Sequence, residues 1–193
     1  MLFRSISCAK GCGACCRQLV AIPLVDALAL ARLVEAMPEP RRGEIRARFA
    51  AATARVKASG VFDRESPHAA EDGRALARDY FRLGVACPFL EDESCSIHAE
   101  RPLVCREHVV TSPAANCARF GEAPIDRVDI AAPISAALSR ATAAIAGVEA
   151  SSIPLIFALE WAPAAAGRLD QRSDAVEMLR ALLAEIGKAR ISG

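Results

Sequence analysis

A chain of 193 residues can bury one hydrophobic core, and a hydrophobic content of 53% is too high for a disordered protein. The 24 basic and 23 acidic residues leave a net charge of +1, so the chain lacks the basic excess of nucleic-acid-binding domains. Aromatic residues make up 5% of the chain, which leaves few side chains for stacking on bases. We therefore predict a single domain, residues 1–193, without a nucleic-acid partner.

The beginning of the chain predicts no secretory signal, because cysteines start at Cys8 and leave no room for an apolar segment before them. The most apolar stretch, residues 153–167, contains Glu160 and two prolines, and it is shorter than the roughly 20 residues of a spanning helix. We expect a cytoplasmic protein with no membrane partner. In a reducing compartment, grouped cysteines are more often metal ligands or reactive groups than disulfides.

The first half of the chain predicts helices between its cysteines. Apolar residues recur there at helical spacing, and proline or glycine follows each segment as a stop signal. These predicted helices cover residues 24–37, 41–59 and 70–83.

Residues 85–121 lack helical periodicity and are rich in proline, cysteine and acidic turn residues. A short apolar segment, 88–90, followed by the acidic run 91–93 predicts a small hairpin. Pro102 is placed to begin a short helix that carries Cys105. Further helices are predicted over residues 125–147, 153–165 and 173–189.

No alternation of strands and helices appears, which excludes Rossmann and barrel folds. The sequence instead predicts a mainly α fold. It would be a compact helical domain with an irregular cysteine-rich region that contains a short β-hairpin. We place the metal-binding region at residues 8–117 and a helical C-terminal part at residues 125–193.

Four cysteines lie within nine residues near the beginning of the chain: Cys8, Cys12, Cys15 and Cys16. Gly11 and Gly13 between them let the backbone fold tightly enough for the thiols to converge. Thiolates that lie so close together repel one another unless a cation is bound. A disulfide between the adjacent pair would be strained, which argues against a scaffold of four disulfides.

A second block of cysteines has wider gaps of seven, nine and eleven residues: Cys87, Cys95, Cys105 and Cys117. All eight cysteines are predicted metal ligands, with Cys117 the least constrained by its spacing. Arg101 and Arg106 lie on either side of Cys105 in the sequence. We predict that their guanidinium groups surround an anionic centre without ligating it.

The pattern admits two kinds of metal centre. Eight thiolates would fill two tetrahedral zinc sites, but zinc sites usually use paired CxxC segments, and the second block has none. The irons of an iron–sulfur cluster each take one thiolate, so irregular spacing favours the cluster over zinc. The division of the cysteines between one or two centres stays open.

His98 or His108 could replace a thiolate, although a hydrogen-bonded role outside the ligand set is simpler. His68 is expected to be solvated.

The sequence resembles the YkgJ-type cysteine-cluster family, a zinc- or iron-chelating domain. The resemblance covers residues 8–117 and rests on four segments: Cys8-x3-Cys12-x2-Cys15-Cys16, Cys87-Pro88-Phe89-Leu90, Cys95-Ser96-Ile97-His98 and Arg101-Pro102-x2-Cys105-Arg106. One branch of that family is similar to the flagellin lysine N-methylase. The resemblance therefore allows an enzymatic role as well as metal binding.

Three functional hypotheses follow. The first is a metal-binding protein that holds an iron–sulfur cluster, or zinc, through its cysteines. The second is a cluster-dependent enzyme of methylase-like or redox type. The third is a thiol-based redox sensor, in which oxidation expels the metal and forms disulfides. The sequence names no protein partner.

Overall fold

The computed structural model describes residues 5–63, 73–147, 152–169 and 175–191. The α-helices are α1 (Leu24–Glu35), α2 (Arg41–Ala58), α3 (Gly73–Arg82), α4 (Leu103–Glu107), α5 (Ile134–Ala146), α6 (Ala158–Leu169) and α7 (Ala175–Ile191). The strands are β1 (Ala21–Pro23), β2 (Leu90–Glu91), β3 (Ser94–Cys95) and β4 (Ser152–Pro154). Short 3₁₀-helices lie at Ala14–Arg17, Ala114–Arg119 and Leu155–Phe157. The predicted mainly α fold with a short hairpin is confirmed.

The chain divides into two compact units. Unit one consists of Met1–Val20, Gly43–Arg101 and His108–Val128. Unit two consists of Ala21–Arg42, Pro102–Glu107 and Asp129–Gly193. Each unit is built from several chain segments, and the single domain predicted for residues 1–193 stays a prediction.

The core of unit one forms around α2, whose buried residues Ile45, Phe49 and Val56 recur at helical spacing. Phe89, which precedes the hairpin, meets Phe49 edge to face, with ring centroids 5.3 Å apart. Tyr80 of α3 is buried as well. This packing fixes the hairpin against the long helix.

The hairpin of β2 and β3 pairs Leu90 with Cys95 in an antiparallel register. Its two turn residues, Asp92 and Glu93, have φ of 45° and 56°. Two left-handed residues in a two-residue loop match the twist of the strands, which is why such turns close tight hairpins. The hairpin predicted from the sequence is confirmed.

Unit two pairs β1 with β4 antiparallel, and Ile22 stands opposite Ile153. Helix α1 packs on α6, and α5 packs on α7. The buried residues of α1 lie on one face of the helix: Leu24, Ala27, Leu30 and Val34. Within the described residues, no helix is long and apolar enough to cross a membrane.

The helix predicted over residues 125–147 is wrong in its first part, because α5 begins only at Ile134. The backbone before it pairs elsewhere: Thr111 N donates to Asp126 O at 2.9 Å, and Val128 N donates to Val109 O at 2.8 Å. These bonds hold the segment in an extended conformation, so it cannot be helical.

The helix predicted over residues 153–165 is also wrong at its beginning, where the chain forms β4 and a 3₁₀-helix before α6. Strand β1 was not predicted. The first residues of the helix predicted over 70–83, and His68, lie outside the described residues.

Candidate metal centre

Cys15 and Cys16 lie on the 3₁₀-helix Ala14–Arg17, which we call the cysteine turn. Gly13 precedes it and packs directly on the hairpin. A Cβ atom at Gly13 would lie 2.5 Å from Leu90 Cδ1 and 2.8 Å from Glu93 Oε2, distances that real contacts do not reach. Both atoms are ends of flexible side chains, but the Cβ would also lie 3.2 Å from the Glu93 backbone. Glycine therefore eases the close approach of the cysteine turn to the strands that carry Cys95.

An ion pair fastens the same two elements. Arg17 Nη2 donates to Glu93 Oε1 at 2.5 Å, and Nη1 donates to Glu93 Oε2 at 2.9 Å. Arg17 Nη1 also donates to the Gly13 carbonyl at 3.2 Å. The hydrogen bonds from Arg17 hold the pKa of Glu93 below its ordinary value. Because the pair is bidentate, it fixes orientation as well as distance.

Cys87 joins the cysteine turn through the backbone. Cys87 N donates to the Cys16 carbonyl at 2.7 Å, and the Cys87 carbonyl accepts from Leu90 N at 2.9 Å. Leu90 in turn is paired with Cys95 across the hairpin. The backbones of the cysteine turn, the Cys87 segment and the hairpin are thus connected by hydrogen bonds.

The thiols of Cys15, Cys16, Cys87 and Cys95, here the four-thiol set, are close enough for all six of their pairs to interact electrostatically or by hydrogen bonding. Burial raises the pKa of Cys87 to about 12 and also raises the pKa of Cys95. A hydrogen bond from Cys16 lowers the pKa of Cys15 to about 7, and the same bond raises the pKa of Cys16. The set therefore resists carrying several negative charges without a cation.

Arg101 is the cation beside this set. Its positive charge lowers the pKa of both Cys15 and Cys95, although hydrogen bonding and burial act more strongly on those groups. The role predicted for Arg101 beside a metal centre stays a prediction. Arg106 lies in unit two, where its charge acts on Asp26. Its predicted role near a metal centre stays a prediction.

The thiols are neighbours without forming a complete coordination shell. Among the residues that the structure describes, no three cysteine, histidine or carboxylate side chains are grouped closely enough to hold a metal ion. All eight cysteines lie in the described ranges, and no disulfide joins any of them there. Four soft thiolate donors fit zinc and iron–sulfur clusters alike.

Cys117 lies on the 3₁₀-helix Ala114–Arg119, which contacts the cysteine turn. Its carbonyl accepts from Gln18 Nε2 at 3.1 Å. Burial raises the pKa of the Cys117 thiol, and the charges of Cys15, Cys8 and Cys12 raise it further. Cys8, Cys12 and Cys117 therefore form a second group of thiols, which adjoins the four-thiol set through Cys15.

Cys105 lies in unit two, on the five-residue helix α4. Two carboxylates hold this helix. Asp26 Oδ2 accepts from Leu103 N at 3.2 Å, and Glu107 accepts from Ser135 N at 2.9 Å and from the Ser135 hydroxyl. The short helix predicted after Pro102 is confirmed, and its ends are fixed within unit two.

The two histidines considered as ligands have different environments. His98 is exposed. His108 Nε2 is buried and has no hydrogen-bond partner within the part of the chain that the structure describes. Burial lowers the pKa of His108, and the charge of Arg127 lowers it further. Neither histidine belongs to a closed ligand group among the described residues.

The acidic run 91–93 has a role that its composition did not reveal. Glu91 pairs with Arg48 of α2, and Glu93 pairs with Arg17. The available signal was the position of Arg17 directly after the double cysteine, but its partner is 76 residues away in the chain.

A family model described as "CxxCxxCC: Putative zinc- or iron-chelating domain" matches residues 7–123. The chain belongs to this family. The matched region contains all eight cysteines and ends before α5, and in this chain three residues separate Cys8 from Cys12. Comparison with curated proteins and with solved structures gave no match. The resemblance found in the sequence is confirmed, and the family is one that is described by zinc or iron chelation.

Proposed function

We propose that this protein holds an iron–sulfur cluster, in preference to zinc, through the four-thiol set. The observation that carries the proposal is the mutual interaction of all six thiol pairs, on segments already joined by the backbone and by the Arg17–Glu93 ion pair. The ligand roles predicted from the sequence for Cys8, Cys12, Cys117 and Cys105 stay predictions, and this proposal does not depend on them.

Two features favour a cluster over a single zinc ion. Zinc needs four sulfur atoms at about 2.3 Å from one point, which adjacent cysteines such as Cys15 and Cys16 reach with difficulty. The irons of a cluster lie apart, and each takes one thiolate. The charge of Arg101 near Cys15 and Cys95 would also offset the negative charge of a cluster with four thiolate ligands.

Serine substitutions test this assignment. Cys87→Ser should abolish the iron-dependent absorbance of protein purified without oxygen, because it removes one ligand of the four. Cys105→Ser is the matched control, since it makes the same chemical change in unit two, and it should retain that absorbance. Circular dichroism of both variants would verify folding. Loss of the cluster in Cys105→Ser with retention in Cys87→Ser would refute the assignment.

A second candidate function is a thiol redox sensor, and the pKa of about 7 for Cys15 is the observation that favours it. A thiol with this pKa is about half thiolate at neutral pH, and the thiolate is the form that reacts with peroxide. Hydrogen peroxide would oxidise Cys15 to a sulfenic acid, releasing hydroxide. A neighbouring thiol would then form a disulfide with it, releasing water. Metal loss on peroxide treatment that a thiol reductant reverses would support this function, and metal that stays bound would exclude it.

A further inference from the structure

Cys15 and Cys16 are neighbours in the chain and lie together on the cysteine turn. A hydrogen bond joins their two thiols. The backbone of the pair is held on both sides. Cys16 N donates to the Gly13 carbonyl at 3.0 Å, and the Cys15 carbonyl accepts from Gln18 N at 3.1 Å. The cysteine turn therefore presents a dithiol whose sulfur atoms already lie side by side.

This dithiol is poorly suited to a direct disulfide. The Cα atoms of adjacent residues are about 3.8 Å apart, which is closer than the roughly 4.4–6.8 Å of ordinary disulfides. A disulfide would also draw the two sulfur atoms to about 2 Å from each other. An atom that bridges the sulfurs keeps them further apart, near the separation of hydrogen-bonded thiols. The pair therefore favours a bridging atom with a preference for sulfur.

Cys87 supplies a third thiol beside the pair. Cys87 N donates to the Cys16 carbonyl at 2.7 Å, which fixes the Cys87 backbone next to that of Cys16. The charge of Cys87 also acts on the Cys16 thiol more strongly than the charge of Cys95 does. Of the two remaining thiols in the four-thiol set, Cys87 is thus the nearer partner of the pair.

We infer that Cys15, Cys16 and Cys87 form a binding site for trivalent arsenic, offered to the protein as arsenous acid. This molecule carries three hydroxyl groups on one arsenic atom. Each thiol replaces one hydroxyl: an arsenic–sulfur bond forms, an arsenic–oxygen bond breaks, and the thiol proton leaves with the hydroxyl as water. Arsenic stays trivalent throughout, so the step needs neither an oxidant nor a reductant.

Donor number and charge favour arsenic over a divalent ion at three thiols. Trivalent arsenic is complete with three thiolates, and the product is neutral. Zinc needs four donors, and four thiolates around it leave a net negative charge. Cys15, Cys16 and Cys87 are all partly buried, and burial disfavours a charged product. The arsenic site is therefore complete without Cys95, whereas the cluster proposed above requires it.

Arsenite and phenylarsine oxide test the inference on the reduced, metal-free, full-length protein. Phenylarsine oxide takes two thiols, so it needs the Cys15–Cys16 pair alone, whereas arsenite takes three. Intact mass spectrometry with a substoichiometric amount of each probe and a small dithiol as competitor measures the relative affinities. Cys16→Ser should weaken the binding of both probes at least about a hundredfold, because it removes the chelate. Cys87→Ser should weaken arsenite binding by about as much while phenylarsine oxide binding is retained.

Two further variants make the test specific. Cys12→Ser is the matched control, since it makes the same change on the same segment outside the site, and it should bind both probes like the wild type. Cys95→Ser should lose the cluster of protein purified without oxygen and still bind arsenite when metal-free. Circular dichroism and the denaturation midpoint of every variant verify folding.

The inference is overturned if the folded wild type binds arsenite no more tightly than Cys16→Ser does. It is equally overturned if Cys12→Ser or Cys95→Ser loses arsenite binding while Cys87→Ser keeps it. The cluster and the arsenic site can fail separately. Protein that carries no iron but binds arsenite through these three thiols would contradict the cluster alone, and iron-loaded protein whose metal-free form ignores arsenite would contradict the arsenic site alone.

Discussion

Replacing Gly13 by alanine adds one methyl group where the cysteine turn lies on the hairpin. The new Cβ would be 2.5 Å from Leu90 Cδ1 and 3.2 Å from the backbone carbonyl carbon of Glu93. The leucine side chain can rotate, but the Glu93 backbone is held in the two-residue turn with φ of 56°. Gly13 itself has φ of −93°, which alanine adopts freely, so the strain comes from the contact and not from the backbone of residue 13.

The magnitude follows from two opposing effects. Inserting a methyl group into a filled contact costs about 1–3 kcal/mol. Alanine also restricts the unfolded chain, which returns about 0.4–1 kcal/mol. The middle of each range gives a net loss of roughly 1.3 kcal/mol in the free energy of unfolding, or a fall in Tm of about 3–5 °C for a chain of this length. Because the cysteine turn and the hairpin would separate, metal binding should weaken as well.

Denaturant unfolding of the metal-free protein and metal content after dialysis against a chelator measure the two consequences. Gly167→Ala in α6 is the matched control, since a Cβ there meets no atom within 4 Å. That variant should be unchanged or more stable by up to about 1 kcal/mol, because alanine is the better helix former. If Gly13→Ala matches Gly167→Ala in both stability and metal content, the packing argument is wrong.

Three further predictions concern other contacts. Arg17→Gln and Glu93→Gln should each lower metal retention by a similar amount, and the double variant should lose no more metal than either single variant. Because the ion pair is exposed, high salt should reduce the difference in metal retention between the wild type and these variants. Asp26→Ala should lower the free energy of unfolding, measured by denaturant unfolding, by about 1 kcal/mol, because it removes the carboxylate that accepts from Leu103 N. The free energy of unfolding of Asp26→Asn should lie between those of the wild type and Asp26→Ala. Burial raises the pKa of Cys87 from 9.0 to about 12, so the folded metal-free protein holds this proton more tightly than the unfolded chain. Stability should therefore fall as pH rises from about 9 towards 12, and that fall should be smaller in Cys87→Ser, measured by unfolding across this range.

The helices and the hairpin were predictable where local signals act alone. The acidic residues after Leu90 predict a turn, and Pro102 predicts the start of α4, because both signals depend only on nearby backbone geometry. The segment 125–133 was mispredicted because its conformation depends on bonds to residues 109–112, which no local pattern reveals. The pairing of β1 with β4 is likewise non-local.

The residues of the candidate metal centre were predictable, but their grouping was not. Eight cysteines with four in nine residues predict metal binding through composition and spacing alone. That Cys15 and Cys16 meet Cys87 and Cys95, while Cys117 adjoins Cys8 and Cys12, depends on tertiary neighbours. The close contact at Gly13 joins residues about 80 positions apart, and no local pattern reveals it either.

Counting iron, zinc and acid-labile sulfide per chain in protein purified without oxygen tests the central claim most directly. The iron–sulfur assignment to the four-thiol set predicts about four irons and four sulfides per chain, with negligible zinc. It also predicts that Cys87→Ser loses them. One or two zinc ions without iron or sulfide would contradict the cluster, and would leave a chelating zinc site as the function of these thiols.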